Sequence, residues 1–429
     1  MSTPDVIVVG GGPAGSSSAL ALARAGARVL LFDRARFPRD KPCAEYLSPE
    51  SSRVLEAMGA LEACERAGAA QLAGMVVRAP SGDEIRGDFV AAHGWRGFRD
   101  RGLALPRRIL DAILLDRARD SGVDVTEGER VVDLLRDAHG SVCGVETLGA
   151  HGERIAHRAR LVIGADGLRS IVARRLGVQH QSRFPRRLAV VAHYRGVSGV
   201  GTHGEMHVER DGYLGIADVG GGLANVAVVV PIASARQGTG NPSALLDGWI
   251  ARHPHITPRF AGAERVSEAR ATGPFASRAR RAWASGAALV GDAADFFDPF
   301  TGEGIYAALR GGELLAPHAM THLGAASSQA ADGALADYDR ARRAAFAGKW
   351  RVERLIGLAV AFPSLMNIAA RSLARRKDLA DLLVGVAGDF VPAREVLRPS
   401  FLLGLIGTGR VGAGAHGAEP GPVLPHTNL

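Results

Sequence analysis

Three acidic residues stand just beyond short apolar runs, each with glycines nearby. Asp33 follows Arg28-Val-Leu-Leu-Phe32, Asp166 and Gly167 follow Leu161-Val-Ile-Gly-Ala165, and Asp292 follows Ala287-Ala-Leu-Val-Gly291. A carboxylate at the end of a strand can accept a hydrogen bond from a ribose 2′-hydroxyl, as expected of Asp33, or from a ribityl or ribose hydroxyl, as expected of Asp292. Before the first acid lies Gly10-Gly-Gly12-Pro13-Ala14-Gly15. Its glycines have separate tasks: Gly10 for a tight turn, Gly12 for backbone approach to a pyrophosphate, Gly15 for helix–strand packing. Beyond the third acid, Pro299-Phe-Thr-Gly302-Glu-Gly304-Ile305 opens a helix. Glycines there let a flat ring reach the backbone, and the positive helix end faces charge forming on the ring, worth about 0.3–2 kcal/mol. The chemistry to which these residues point is that of a long nucleotide cofactor with a redox-active ring.

The surrounding segments are of the kind that can position such groups. Val6 to Val9 reads as a parallel strand buried on both faces, because it lacks polar alternation. It leads through the glycines into Ser-Ser-Ser-Ala-Leu-Ala-Leu-Ala-Arg-Ala, a helix whose N-terminus offers free N–H groups to phosphate. Asp33 then ends a second strand 18 residues after Gly15 (33 − 15). Two further stretches match the same glycine spacing, Gly199-Val-Gly201-Thr-His-Gly204 and Gly407-Thr-Gly409-Arg-Val-Gly412. The first leads into strand-like alternation and the second into a Gly/Pro-rich tail, so both read as flexible turns.

Along the chain, Ser48-Pro49 predicts a capped helix over about 50–60. Alternation over 74–90 with Ser81-Gly-Asp at its centre predicts a hairpin. Helical spacing over Arg107–Ser121 is followed by short strands to about 160, and the stretch after Leu168 reads as a short helix. Leu188 to Pro231 reads as antiparallel strands, and about 242–252 as a helix. Beyond 302 the chain is nearly all helical, with breaks at Pro363, Gly388 and Pro392. The expected organisation is α/β: a Rossmann-like nucleotide-binding domain (1–73, 104–185, 273–345) interrupted by an antiparallel β-sheet substrate domain (74–103, 186–272). A C-terminal helical region (346–411) and a disordered tail (412–429) follow.

Composition narrows the classes. The 429 residues are 47% hydrophobic and 22% charged, which suits a globular chain with a large core. The net charge is +8 (52 − 44), and 49 of the basic residues are arginines (52 − 3, the lysines being Lys41, Lys349 and Lys377). With aromatics at 5% and no stacking platform beside a basic patch, no nucleic-acid partner is expected. Cys43, Cys64 and Cys143 are odd in number and far apart, which fits a reducing, cytoplasmic setting. The first strand starts by residue 6, which leaves no room for a signal peptide. No transmembrane span is expected. The apolar stretch Leu355–Ala370, interrupted by Pro363, Ser364 and Asn367, either lies on a membrane surface or packs on the protein. His318 and His322, four apart without a third ligand in view, read as a solvated pair, and no metal is expected.

The arrangement resembles the FAD-dependent monooxygenases of the para-hydroxybenzoate hydroxylase type, together with their relatives the geranylgeranyl reductases and flavin-dependent halogenases. The resemblance rests on the Gly10/Gly12/Gly15 fingerprint with Asp33, on Asp166-Gly167, and on Gly291-Asp292 with Pro299, Gly302 and Gly304. Pro106-Arg107-Arg-Ile-Leu-Asp111 is similar to the family's helix whose arginine reaches FAD. The resemblance implies FAD held by Gly10, Gly12, Pro13, Ala14, Gly15, Asp33, Arg34, Arg107, Asp166, Gly167, Asp292, Gly302, Gly304 and Ile305. It implies NAD(P)H as transient reductant and a flavin C4a-hydroperoxide, formed with O₂, that hydroxylates a lipophilic or aromatic small molecule. The loop from Pro38 to Pro49 is similar to a geranylgeranyl reductase segment written Cys-Gly-Glu-Gly-Leu, here Cys43-Ala-Glu45-Tyr46-Leu. Cys43, Glu45, Tyr46 and Pro299 are therefore the candidate catalytic residues. The four tryptophans lie far apart, and the halogenase motif Trp-x-Trp-x-Ile-Pro is absent. The first reading is a monooxygenase, the alternative a carbon–carbon double-bond reductase. A third is an accessory flavoprotein acting on a partner protein, which expects a flat, polar substrate side.

Overall fold

A computed structural model describes residues 3–149, 152–181, 186–236 and 240–406. The tail from 412 and the glycine repeat at 407–412 lie outside the described residues. The strand Val6–Val9 is wholly buried and sits at the centre of a six-stranded sheet. It pairs in parallel with Val29–Asp33 on one side and Leu161–Gly164 on the other. Ala287–Leu289 adds a further parallel strand beyond Leu161–Gly164, and Asp124–Glu127 one beyond Val29–Asp33. Because its neighbours are joined to it in opposite directions, the end of Val6–Val9 is the place where such sheets open a crevice for ligands.

Two helices start at that same end. Pro13–Arg24 follows the first strand with Pro13 in its first turn, and Gly304–Gly324 follows the last. They lie against each other closely enough that a Cβ on Gly312 would stand 2.5 Å from Ser17 Oγ, while the Ser17 hydroxyl donates to the Leu309 carbonyl at 2.8 Å. The cap at Ser48 forms as its sequence predicts: the hydroxyl accepts from Ser51 N and Pro49 opens the helix Pro49–Ala57. The short helix after Leu168 begins three residues later, at Ile171, because Ser170 caps it.

The second sheet contains Arg187–Arg195, Ala224–Pro231, Gly212–Asp218 and His203–Glu209 in spatial order, continued by the hairpin Gly74–Arg78/Glu84–Asp88. It is antiparallel except at one place, where His203–Glu209 runs parallel to Gly74–Arg78. Those strands belong to distant segments, so no tight turn dictates their direction. Its faces are both covered, one by helix Pro242–Ala251 and the other by the C-terminal helices, which explains the unbroken apolar run Val226–Val230.

Candidate active site

The glycines of the first turn differ in what surrounds them. Gly10 has φ +104°, and a Cβ there would lie 2.6 Å from the Ala165 carbonyl oxygen; at Gly15 it would lie 1.7 Å from the Gly10 oxygen. Those two positions are required by packing. Gly12 is different: its φ is −76°, and the nearest atoms to an added Cβ are Arg39 Nη2 at 3.6 Å and Arg107 Nη2 at 3.7 Å. A Cβ there would make only ordinary contact with these two guanidinium groups, which its backbone faces. Pro13 and Ala14 are buried in the helix's first turn, and Ala14 Cβ would stand 2.9 Å from a Cβ on Gly291, so the first and third glycine motifs touch. Asp33 is buried and occupied: its Oδ2 accepts from Gly11 N at 2.7 Å and its Oδ1 from Ala35 N at 2.8 Å. It ties the glycine turn to the second strand, while Arg34 points into solvent.

Arg107 opens the helix Arg107–Asp120 and is gripped by Asp111 through two hydrogen bonds of 2.6 and 2.7 Å. The fully buried Asp111 also pairs with Arg39 at 2.8 Å. One carboxylate thus faces two guanidiniums, and Lys41 adds a third positive group with no ion pair among the described residues. Burial, with Arg107 and Arg39 alongside, pushes the Lys41 ammonium below its ordinary range. Burial raises the Asp292 carboxyl, against the pull of Lys41 and Arg107. Burial likewise raises Asp166, whose Oδ2 accepts from Ile171 N at 2.6 Å while its buried Oδ1 has no partner. Gly167, with φ +79°, carries Lys41 Nζ 3.1 Å from the place of a Cβ. This cleft sets two guanidiniums that share one carboxylate, and the unpaired Lys41, beside a bare glycine backbone and the unpartnered Asp166 Oδ1. A pyrophosphate flanked by hydroxyl-bearing sugars fits that donor set, so the residues present suit FAD.

The loop between the second strand and helix Pro49–Ala57 is fixed by Glu45, which is 2% exposed and has φ +61°, in the left-handed region. Its Oε1 accepts from Arg107 N at 2.7 Å, and its Oε2 from Asn225 Nδ2 at 2.9 Å and from His193 Nε2 at 2.7 Å. His193 and Asn225 face each other across adjacent strands, which is why both reach one carboxylate. The Glu45 hydrogen bond lifts His193 above its ordinary pKa. Asn225 also donates to the Cys43 carbonyl at 2.9 Å. Cys43 itself is half-buried, accepts from Glu45 N at 3.3 Å, and lies beside the Arg107 guanidinium.

Tyr46 is buried, stacks on Phe89 with centroids 6.0 Å apart, and directs its hydroxyl at the Ala387 carbonyl at 3.4 Å. Its ring forms one wall of an apolar hollow that opens to solvent on one side. Ala44, Leu72, Met75, Met206, Ile216 and Phe300 supply much of the rest, and the surface is almost wholly apolar. Pro299 closes one side from a single 3₁₀ turn whose preceding residue, Asp298, is held by Arg187 at 2.8 Å and Tyr213 at 2.6 Å. Gly302, at φ +71°, is pressed against Tyr46: a Cβ would lie 2.7 Å from Tyr46 Cδ1. Gly304 lies beside Phe296 and Asp292, and Ile305 is buried in the core beneath. The cavity and the basic cleft therefore meet at the loop 43–46. Arg39, Lys41 and Asn225 were not singled out from sequence; the first two lay in a turn-rich loop, and Asn225 needs the strand register. His322 is not solvated: it is buried, its ring nitrogens 3.0 and 3.4 Å from the Ala331 and Arg160 carbonyls, because the chain turning into the next helix covers it.

The model of a family described as "FAD binding domain" matches residues 3–352. The chain belongs to that family. It is an FAD-dependent oxidoreductase. Over 320 residues it is 33% identical to digeranylgeranylglycerophospholipid reductase 2 of Methanopyrus kandleri, covering 72% of this chain and 75% of the relative. The menaquinone reductase of Mycolicibacterium smegmatis is 28% identical over 414 residues, 90% of this chain and 92% of its own. Among solved structures, the myxobacterial chondrochloren halogenase CndH superposes with a TM-score of 0.77 at 25% identity, covering 94% of this chain and 93% of that one.

Proposed function

We propose that this flavoprotein reduces a carbon–carbon double bond in a lipophilic substrate of isoprenoid character. The reductase, second in the reading of the sequence, thereby moves ahead of the monooxygenase. The observation that carries this is the apolar hollow lined by Ala44, whose chain neighbour Cys43 has its thiol beside the Arg107 guanidinium at the edge of the cofactor cleft. Reductase names borne by relatives, among them the two above, support it.

Gly12, Arg39 and Arg107 would hold the pyrophosphate of FAD, with Lys41, Asp166 and Asp292 along the rest of the ligand. Bound FAD, once reduced by a nicotinamide, supplies a hydride. The chain's residues do the remainder. The cavity walls hold the alkene and keep water from it. Cys43 Sγ carries the proton that the second alkene carbon takes up, and Arg107 stabilises the thiolate left behind until solvent reprotonates it. Glu45 does not transfer protons in this scheme. With both oxygens committed, it positions the loop, so that Cys43 stays between cleft and cavity.

A monooxygenase remains the second reading. Ala44 and Tyr46, where the similar segment has glycines, narrow the cavity toward a compact substrate, and O₂ would then be co-substrate. The accessory-protein reading expects a flat, polar face, unlike this cavity. Product analysis separates the two enzymes: with NAD(P)H and a polyprenyl lipid that carries no quinone ring under nitrogen, a product gaining two hydrogens supports the reductase. A product gaining one oxygen atom, formed only in air, would install the monooxygenase instead.

A further inference from the structure

Among the described residues, twelve large apolar side chains are notably exposed, and seven of them belong to the C-terminal helices: Leu355, Leu358, Phe362, Leu365, Ile368, Leu402 and Leu403. Scattered single exposures are ordinary in a folded protein, but a cluster on neighbouring helices is not. The helix Ser328–Ala361 buries Val352, Gly357 and Val360 against the protein, yet its outward positions over the last two turns are also apolar. After a bend of 111°, Pro363–Leu373 repeats this: Met366, Ala370 and Leu373 face inward, Leu365 and Ile368 outward. The short helix Pro399–Ile406 packs on that helix, its Gly404 carbonyl accepting from Ser372 Oγ at 2.9 Å and Arg376 Nη1 at 3.1 Å. Large apolar side chains clustered on the outward side of helices already packed inward need cover of their own.

Charge indicates the cover. From Arg351 to Lys377 there are six basic residues, Arg351, Arg354, Arg371, Arg375, Arg376 and Lys377, against one acid, the half-buried Glu353. Arg351, Arg354 and Arg375 are exposed and form no ion pair among the described residues. An apolar surface rimmed by unpaired arginines is complementary to the interface of an anionic lipid bilayer, with acyl chains for the leucines and phosphates for the guanidiniums. No single helix among the described residues is long and apolar enough to cross a membrane, and both helices of the bent pair bury one side against the protein, so the exposed side would lie in one leaflet.

We infer that the C-terminal helices dock the enzyme on the surface of an anionic phospholipid membrane through Leu355, Leu358, Phe362, Leu365 and Leu403, with Arg351 and Arg354 on the phosphates. The inference is independent of the reaction proposed above, and its test involves no turnover.

The test is co-sedimentation of the full-length, FAD-loaded protein with vesicles of phosphatidylcholine, with and without about one-third phosphatidylglycerol. Wild type should bind the anionic vesicles at least about tenfold better than the neutral ones, and less in high salt. Phe362→Glu/Leu365→Glu should lose about tenfold or more of that binding while retaining flavin absorbance and melting temperature. Leu403→Ser, at a side chain 68% exposed, should weaken it without endangering the fold. Arg351→Gln/Arg354→Gln should abolish the preference for anionic lipid. Wild type remaining in the supernatant with both vesicles would overturn the proposal, as would substituted proteins that bind like wild type. So would a stable dimer in analytical ultracentrifugation that Phe362→Glu/Leu365→Glu dissociates, since a second copy would then be the cover.

Discussion

Replacing Gly12 by valine tests the cofactor cleft at its centre. Unlike its neighbours, Gly12 has an ordinary negative φ, and an added Cβ meets no backbone; it meets only Arg39 Nη2 at 3.6 Å and Arg107 Nη2 at 3.7 Å. Gly12→Val should therefore fold. Its isopropyl group would cover the backbone and crowd the two guanidiniums proposed to hold the pyrophosphate. A charge-assisted hydrogen bond contributes about 1.5–3 kcal/mol, and displacing the phosphates from two such donors costs about 3–6 kcal/mol. At about 1.4 kcal/mol per tenfold, FAD affinity should fall by about two to four orders of magnitude. Gly15→Ala provides the contrast, because its Cβ would fall 1.7 Å from the Gly10 oxygen. That variant should lose stability before it loses affinity. The assay is fluorescence titration of apoprotein with FAD, with circular dichroism and a thermal melt to show that each variant is folded. A folded Gly12→Val protein that binds FAD as tightly as wild type would refute the assignment of this cleft.

Three other outcomes follow from the same geometry. Gly302→Ala, at φ +71° with Tyr46 Cδ1 2.7 Å from the new Cβ, should lower both melting temperature and turnover, and adding Tyr46→Gly should recover part of the loss; no recovery would mean that the strained backbone alone is responsible. Cys43→Ser, nearly isosteric but a far weaker acid, should keep FAD and lower reductase turnover by about tenfold or more, whereas full turnover would remove the thiol from the reaction. His193 is raised by Glu45, so its contribution to stability is complete below its unfolded pKa of about 6.5 and is lost as pH rises through the higher folded value. The melting-temperature advantage of wild type over His193→Gln should shrink across that window, and an advantage that grows with pH would contradict the pairing.

Much of the cofactor cleft was legible because its parts are local. A buried strand, a glycine turn, a proline in the first helical turn and an acid at the next strand's end are each specified within about 30 residues, as are Ser48-Pro49 and the hairpin at 81–83. What escaped the sequence depends on register and on loops. Glu45 could be read as a proton carrier because nothing local shows that Arg107, Asn225 and His193 all converge on it. That convergence requires knowing that His193 pairs with Asn225 across the sheet. The same ignorance of pairing hid the parallel contact between His203–Glu209 and Gly74–Arg78. Arg39 and Lys41 sat in a stretch whose composition says only that the chain turns. His322 was misread because its cover arrives from the following helix. The stretch Leu355–Ala370 posed a choice between membrane and protein. It is buried against the protein at Val360 and Met366 and exposed at Leu358 and Phe362.

Transfer of electrons from this flavoprotein to a carbon–carbon double bond can be followed by mixing the pre-reduced holoenzyme with a polyprenyl lipid that carries no quinone ring, in the absence of oxygen. The yellow flavin absorbance should return in a single turnover, with one double bond saturated per flavin, and Cys43→Ser should slow this return without changing its extent. A flavin that stays bleached under nitrogen and recovers only when oxygen is admitted, with an oxygenated product or peroxide, would contradict it.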